Sequence, residues 1–563
     1  MRRNIVICEY ISTGFNYIED VRARGYNPIL LDGTYVGKTE ELRLWREERE
    51  QVKSRLGDGM TIIPETPDYE ELLNKVRAYD PVLVIPGSEF GVDLATRLGS
   101  DLGLTGNSAD RIKAMTEKDS MQNALREHNL RYIRGKVVST EEEAIRWYDE
   151  LGVDDVVVKR VRGAGTQGVY ICSCRQEMLD AVEKSLSETV HSGSSDVAIL
   201  IQERIKGTEY IVNTVSCNGR HRVSSVWVYD KMKLPNGTNA YNNCQCVPRL
   251  HVGHSSLIRY AFQVADAIGV KYGPIHGEYM IDEKGPVLIE VNCRPMGGSL
   301  DRHYVEQVFD HHETDVCLDS YLDPVKFDEE TRKPYRVNKM GAFKFLIITK
   351  DTRYLSAPIL QIASHLKSYY SSAFTRLGRT EVLSETRDLE TSGGTIYLLH
   401  ENEQQIHDDL EILHLIETRY PLLLLQEKIK EKPERAVRHA DIEAIMRDTD
   451  CRGATIVFSD TRKSVKGAVT VDSQTITAAY DSYEQGILDL SERESFSDLE
   501  SIIQQIYVFA GKIRRGGRIL IPESTYCNLP YGIEGMEILM QIAGLRIELP
   551  LRGGTDLLVG SIS

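Results

Sequence analysis

Apolar and polar positions along the first hundred residues switch between two periods. "NIVICEY" (4–10) is an apolar run of strand length, and "NPILLDG" (27–33) is a second. Between them "NYIEDVRARGY" (16–26) spaces its apolar residues as a helix does and ends at Gly25. "PVLVIPGSEFGVDLATRLG" (81–99) reads as strand, turn at Gly87, helix. This β-α-β rhythm over residues 1–112 predicts an α/β domain with a parallel, doubly wound sheet. The dinucleotide fingerprint G-x-G-x-x-G does not follow the first strand, which makes the domain a poor NAD site.

The pattern then changes. A helix is expected around "EKDSMQNALREHNL" (117–130), followed by β-rich runs at 154–172, 197–219 and 221–230 and a hairpin at 274–295. A mixed tail reaches residue 425. From about 427 the chain becomes charged and helix-forming, which marks a boundary. Beyond it "GATIVFSD", "SDLESIIQQIYVFAGKIRRGG", "RILIPES", "GIEGMEILMQIAGL", "RIELPL" and "DLLVGSIS" spell β-α-β-α-β-β, a second and smaller α/β domain over 445–563.

Composition narrows the function classes. A chain of 563 residues exceeds one core, so two to four domains are expected. A net charge of -16 argues against nucleic acid or an anionic membrane as partner. None of the ten cysteines stands in a C-x2-C zinc spacing, so all are read as reduced thiols of a cytoplasmic protein. The short apolar run after Met1-Arg2-Arg3 reads as a first strand, not a signal peptide, and no apolar run approaches the ~18 residues of a membrane span.

The candidate chemistry centres on "PIHGEYMIDEKGPVLIEVNCRP" (274–295). Carboxylates on an apolar strand need something to offset their burial. With a three-residue loop Glu283-Lys284-Gly285, Asp282 pairs with Pro286, Glu278 falls opposite Glu290, and His276 opposite Asn292. Glu278, Glu290 and Asn292 then share one face. Two opposed carboxylates repel, and a hard divalent cation, Mg2+ or Mn2+, resolves that repulsion. The plain alternative is a solvated strand face with its acids in water.

Two further stretches gain meaning from that hairpin. In "VVVKRVRGAGTQGV" (156–169) Lys159 ends an apolar strand, and Gly163, Gly165 and Gly168 loosen a turn whose N–H groups can cradle phosphates. In "IQERIKGTEY" (201–210) Glu203 ends a strand and Glu209 follows a Gly turn; such a hinge can read an adenine edge and a ribose. By contrast, His311 and His312 are adjacent, point ~100° apart on a helix, and are read as structural or solvated.

Lys118, then Lys159 with its Gly loop, then Q-E-x-x-x-G-x-E-Y, then Glu278, then E-V-N-C-R-P, resembles the ATP-grasp superfamily over residues 1 to about 420. Within it the chain looks like the carboxylate–amine ligases, especially L-amino acid ligases. "VWVYDKMKLPNG" (226–237) and the stretch 387–413 look like those enzymes too. The resemblance implies an ATP-grasp fold with subdomains at 113–215 and 216–425. It implies that Lys118 and Lys159 contact ATP, that Thr166 and its flanking glycines form a lid loop, and that Glu203 and Ile205 lie at the adenine with Glu209 at the ribose. Glu278, Glu290 and Asn292 would hold Mg2+, and Arg294 would meet the transferred phosphoryl group. His276, Tyr229, Asp230 and Lys231 are its substrate-side candidates, with His276 and Lys231 joining Arg294 as catalytic residues. Arg204 in the hinge receives no role.

The implied reaction makes an amide, through an acyl phosphate, from small-molecule carboxylate and amine substrates, with amino acids expected. An ATP-grasp carboxylase, or a ligase of a non-amino-acid acid, is the alternative among enzymes, the former weakened because no biotin-acceptor motif is found. A non-catalytic nucleotide-binding module is the third reading. The final domain looks like the closing half of a Rossmann-type methyltransferase without its cofactor loop, expected to be structural or to serve a homodimer.

Overall fold

The computed structural model describes residues 3–33, 40–56, 59–64, 66–161, 168–191, 199–234, 239–374, 377, 382–389 and 391–427, and beyond these 454–459, 468–471, 476, 483–490, 499–522, 525, 532–543, 545–548 and 557–562. The expected boundary near 427–436 lies at the edge of and outside those residues. So do Arg162, Gly163, Gly165 and Thr166 of the Gly-rich turn. The chain forms two compact units: one from residues 1–230 with 244–340, the other from 231–243 with 341–563.

The first unit begins with β1 (Asn4–Cys8), β2 (Asn27–Leu31), β3 (Thr61–Ile63) and β4 (Pro81–Pro86), all parallel in the order β3-β2-β1-β4. Helices cover both faces, so Ile5, Val6, Ile7 and Cys8 are each buried although they alternate sides. That is why β1 reads as an unbroken apolar run. Next comes an antiparallel sheet of β5 (Gly135–Val138), β6 (Val156–Arg160), β7 (Tyr170–Cys172) and β8 (Ile199–Glu203), ordered β5-β8-β6-β7. The helix Glu141–Leu151 packs on it, started by Thr140 accepting from Glu143 N and stopped by Gly152 in the left-handed region.

The third layer carries the chemistry. β9 (Thr208–Cys217) pairs on one edge with β10 (Arg220–Lys233) and on the other with β12 (Tyr272–Asp282), which in turn pairs with β13 (Gly285–Asn292). β11 (Asn239–Cys246) follows β10. The helix Val252–Ile268 covers one face of β12 and β13 with Leu257, Tyr260, Ala261 and Val264.

The sequence places the hairpin's key residues opposite one another correctly, but by a different route. The turn is two residues, Glu283-Lys284, with Asp282 opposite Gly285, not the three-residue loop expected. The register that this sets would put Glu278 opposite Ile289. A bulge between Glu278 and Tyr279 shifts it by one residue and restores Glu278 to Glu290 and His276 to Asn292.

The second unit holds β14 (Met340–Phe345), β15 (Thr352–Ser356), β16 (Tyr369–Ala373), β17 (Val382–Leu383), β18 (Thr395–His400) and β19 (Gln426–Glu427), with β16 antiparallel to β18. Its centre includes a buried ion pair: Lys344 meets Glu417 at 2.6 Å and also bonds Asn242 Oδ1. The last sheet is ordered β21-β20-β22-β23-β25-β24, from β20 (Thr455–Ser459), β21 (Val469–Val471), β22 (Tyr483–Asp489), β23 (Ile513–Pro522), β24 (Leu545–Glu548) and β25 (Leu557–Ile562). Only β25 runs antiparallel, wedged between β23 and β24. β21 and β22 were not expected: one is three residues long, and the other carries Gly486, which breaks the apolar pattern. Among the described residues no helix is long and apolar enough to cross a membrane.

Candidate functional site

Directly paired residues in a sheet share a face. His276 pairs with both Asn213 and Asn292, Glu278 with both Ile211 and Glu290, and Met280 with Glu209. Glu209, Asn213, His276, Glu278, Glu290 and Asn292 therefore stand on one face of three adjacent strands. Asn213 also pairs with Ser225 and Ile211 with Trp227 on β10, which puts Tyr229, two residues on, over the same face.

Two lysines reach this face from other elements. Lys118 opens the helix Lys118–Glu127, and its ammonium lies 3.0 Å from Glu290 Oε2. Burial pushes the Lys118 pKa down, but Glu290, then Glu89 and Glu278, more than offset this and raise it. Burial likewise works against the Glu290 carboxylate, yet Lys118 and Lys159 hold it well below the usual range. Lys159 on β6 is buried. Desolvation first, and the charge of Lys118 second, bring its pKa down to about 8 against the pull of Glu290, Glu278 and Glu209. The opposed acids are thus only partly neutralised, by one close ammonium and one weakened one. All-oxygen donors facing each other with spare negative charge fit a divalent cation shared with phosphate oxygens.

The hinge after β8 is built to close tolerances. Gly207 abuts the metal-side hairpin: a Cβ there would lie 2.1 Å from Ile281 O. Glu203 does not offer its carboxylate to a base, because Arg134 Nε and Nη2 bond Glu203 Oε2 at 3.0 and 2.8 Å while Arg134 N bonds Oε1. Arg204, unassigned from sequence, ties the hinge to Asp155: its N–H bonds Asp155 O at 3.1 Å and its guanidinium lies 3.8 Å from the carboxylate. A cavity of about 890 Å3 runs along these ion-paired residues and the tip of the hairpin; Lys118, Lys159, Glu278 and Glu290 do not line it.

Arg294 follows β13. Its N–H bonds Asn292 O at 2.8 Å, and its guanidinium lies 3.5 Å from Glu89, at the helical turn after β4. Glu313 braces the same loop by accepting from Met296 N at 2.9 Å, and burial pushes its pKa up to about 8. Lys231 lies two residues beyond Tyr229 on β10, with its ammonium 4.1 Å from the centre of the Tyr241 ring. Asp230 is the last residue of the first unit's opening segment. His312 is buried between Asp20, at 3.0 Å, and Glu306, at 2.8 Å, and His311 bonds Ser224 O. Both are structural, and the solvated alternative does not apply.

Four contributors escaped the sequence reading: Asn213, Glu89, Arg134 and Glu313. Asn213 was findable. In "TEYIVNTVSC" it sits four residues after Glu209, on the same face of an otherwise apolar strand. The other three are joined to their partners only by the tertiary fold.

Residues 153–302 match the family model of the ATP-grasp domain. The fold is ATP-grasp, as comparison with solved structures shows. An L-amino acid ligase from Bacillus licheniformis superposes with a TM-score of 0.55 at 16% identity, covering 73% of this chain and 97% of that one. N5-carboxyaminoimidazole synthetase from Staphylococcus aureus, complexed with ADP, gives 0.53 at 13%, covering 73% and 98%. Among sequences, dapdiamide A synthase of Enterobacter agglomerans is 28% identical over 408 residues, which are 71% of this chain and 92% of that protein.

Proposed function

We propose that the protein is an ATP-dependent ligase that joins a carboxylate to an amine, with amino acids as the substrate class. One observation carries this reading. Glu278, Glu290 and Asn292 stand on one sheet face, with Lys118 and Lys159 over them and Arg294 just beyond. This is equipment for phosphoryl transfer, with no nucleophilic side chain required.

A carboxylate is a poor electrophile until one oxygen leaves as phosphate. Its attack on the γ-phosphate of ATP gives an acyl phosphate and ADP; the amine then attacks the acyl carbon, and phosphate departs. Lys118 and Lys159 offset phosphate charge, and Arg294, braced by Glu89, faces the group in transfer. Glu278, Glu290 and Asn292 would hold a divalent ion, which would supply charge neutralisation at the phosphates. Gly207 lets the hinge lie against Ile281, so that Ile205 presents its backbone to the base, and Glu209, on the same face, serves the ribose. The similarity to dapdiamide A synthase supports amide formation.

Phosphate release from ATP, scanned over pairs of amino acids, tests this. Release is expected with certain pairs together and not with either member alone. Release that is independent of any amine would reject it.

The reading gives no methyl transfer to residues 445–563. After "GATIVFSD" the sequence continues Thr461-Arg462-Lys463, basic and without glycine, where a methyl-donor site needs a Gly-rich stretch. Equilibrium dialysis of the whole protein with S-adenosylmethionine is expected to show no saturable binding. Micromolar binding would restore a second activity.

A further inference from the structure

His276 occupies the fourth corner of a square whose other corners are Glu278, Glu290 and Asn292: it pairs with Asn292 across β13 and lies two residues before Glu278 on β12. Its ring is not free to choose which nitrogen carries the proton. Asn213 Nδ2 donates to Ser225 Oγ at 2.8 Å and contacts Met296 Sδ at 3.2 Å. A thioether accepts and never donates, so the amide nitrogen faces that side. Trp227 Nε1, donor only, holds Ser225 Oγ from below at 3.0 Å. The Asn213 oxygen is thereby turned to His276 Nδ1, at 2.8 Å, and Nδ1 must carry the hydrogen. The lone pair is left on Nε2, which points at Glu278 Oε1 across 3.5 Å. With Nδ1 engaged by Asn213, Nε2 is the ring nitrogen turned to the carboxylate face.

Resting on the ligase reading, we propose that His276 Nε2 is a nitrogen ligand of the divalent cation held by Glu278. Two ligands bound ~2.1–2.2 Å from one ion sit about 3–3.5 Å apart, which is the separation found. Backing of a metal-bound imidazole through its other nitrogen by an amide oxygen is the usual way such a ring is aimed. Three oxygen donors and one imidazole shift preference from Mg2+ toward Mn2+. Trp227, Ser225 and Asn213 are positioning residues for that ligand.

The test uses Mn2+ with ADP on the full-length protein and electron spin-echo envelope modulation. The expected result is a directly coupled nitrogen whose frequencies change when the protein is grown with 15N-histidine, and which disappears in His276→Gln. In that variant Mn2+ affinity, measured by free-ion signal, should fall about tenfold while Mg2+ affinity changes little. Asn213→Asp keeps an acceptor at Nδ1 and should retain the coupling. Manganese bound with ADP but without coupled histidine nitrogen overturns the proposal and leaves the ligase reading intact. Failure of manganese–ADP to bind at all overturns the nucleotide site itself.

Discussion

Glu290→Gln lowers divalent-ion-dependent phosphate release from ATP by roughly a hundredfold or more, with the far-ultraviolet circular dichroism unchanged. Glu290 combines two functions that a neutral amide cannot. It faces Glu278 across the hairpin, where the proposed reading makes it a cation ligand, and it anchors Lys118 at 3.0 Å. Altering groups that merely orient metal ligands costs about 10–100-fold, so losing a ligand's charge should cost at least as much. Gln keeps the volume and still offers Lys118 an acceptor, which is why the fold should survive. Turnover near that of the native protein would remove Glu290 from the site.

The second large effect concerns Lys159. Its replacement by Ala should weaken ADP binding by about ten- to a hundredfold, since hydrogen bonds to charged groups contribute about 1.5–3 kcal/mol. The same residue predicts a pH dependence. Its pKa in the free protein is about 8, below the ordinary 10.5, because burial and Lys118 disfavour the charge. Bound phosphates favour that charge, so ADP binding near pH 8 should draw a proton onto Lys159, and affinity should fall as pH rises through 8. The stability of the nucleotide-free protein runs the other way. Between about 8 and 10.5 the unfolded chain binds more protons at this position, so Lys159 adds stability as pH rises through that window. Calorimetry in buffers of different ionisation enthalpy measures the proton uptake. Equal apparent enthalpies in all buffers, with pH-independent affinity, would show that Lys159 does not meet the nucleotide.

Periodicity alone determined the doubly wound start of the chain, because strands covered on both faces must be apolar at every position, as Ile5 to Cys8 are. It also determined that Glu290 and Asn292 share a face, since side chains alternate along any strand; that Glu278 joins them rests on the register. Charge on an apolar strand marked Lys159 and the paired acids as needing a partner. The sequence did not determine how the hairpin achieves its register. Turn length and bulge compensate one another, and a bulge leaves no signature in a run of apolar residues such as Val287-Leu288-Ile289. Nor could it show that Glu203 is held by Arg134, or that Arg294 leans on Glu89. Each of these pairs joins residues far apart along the chain, and long-range contacts are set by the packing of whole elements. The tautomer of His276 depends furthest on tertiary structure. Ser225 and Asn213 meet only because β9 and β10 pair in one register, and Met296 reaches them only because the loop after β13 folds back. Sequence alone could nominate His276; only that convergence of three segments decides which of its nitrogens faces the site.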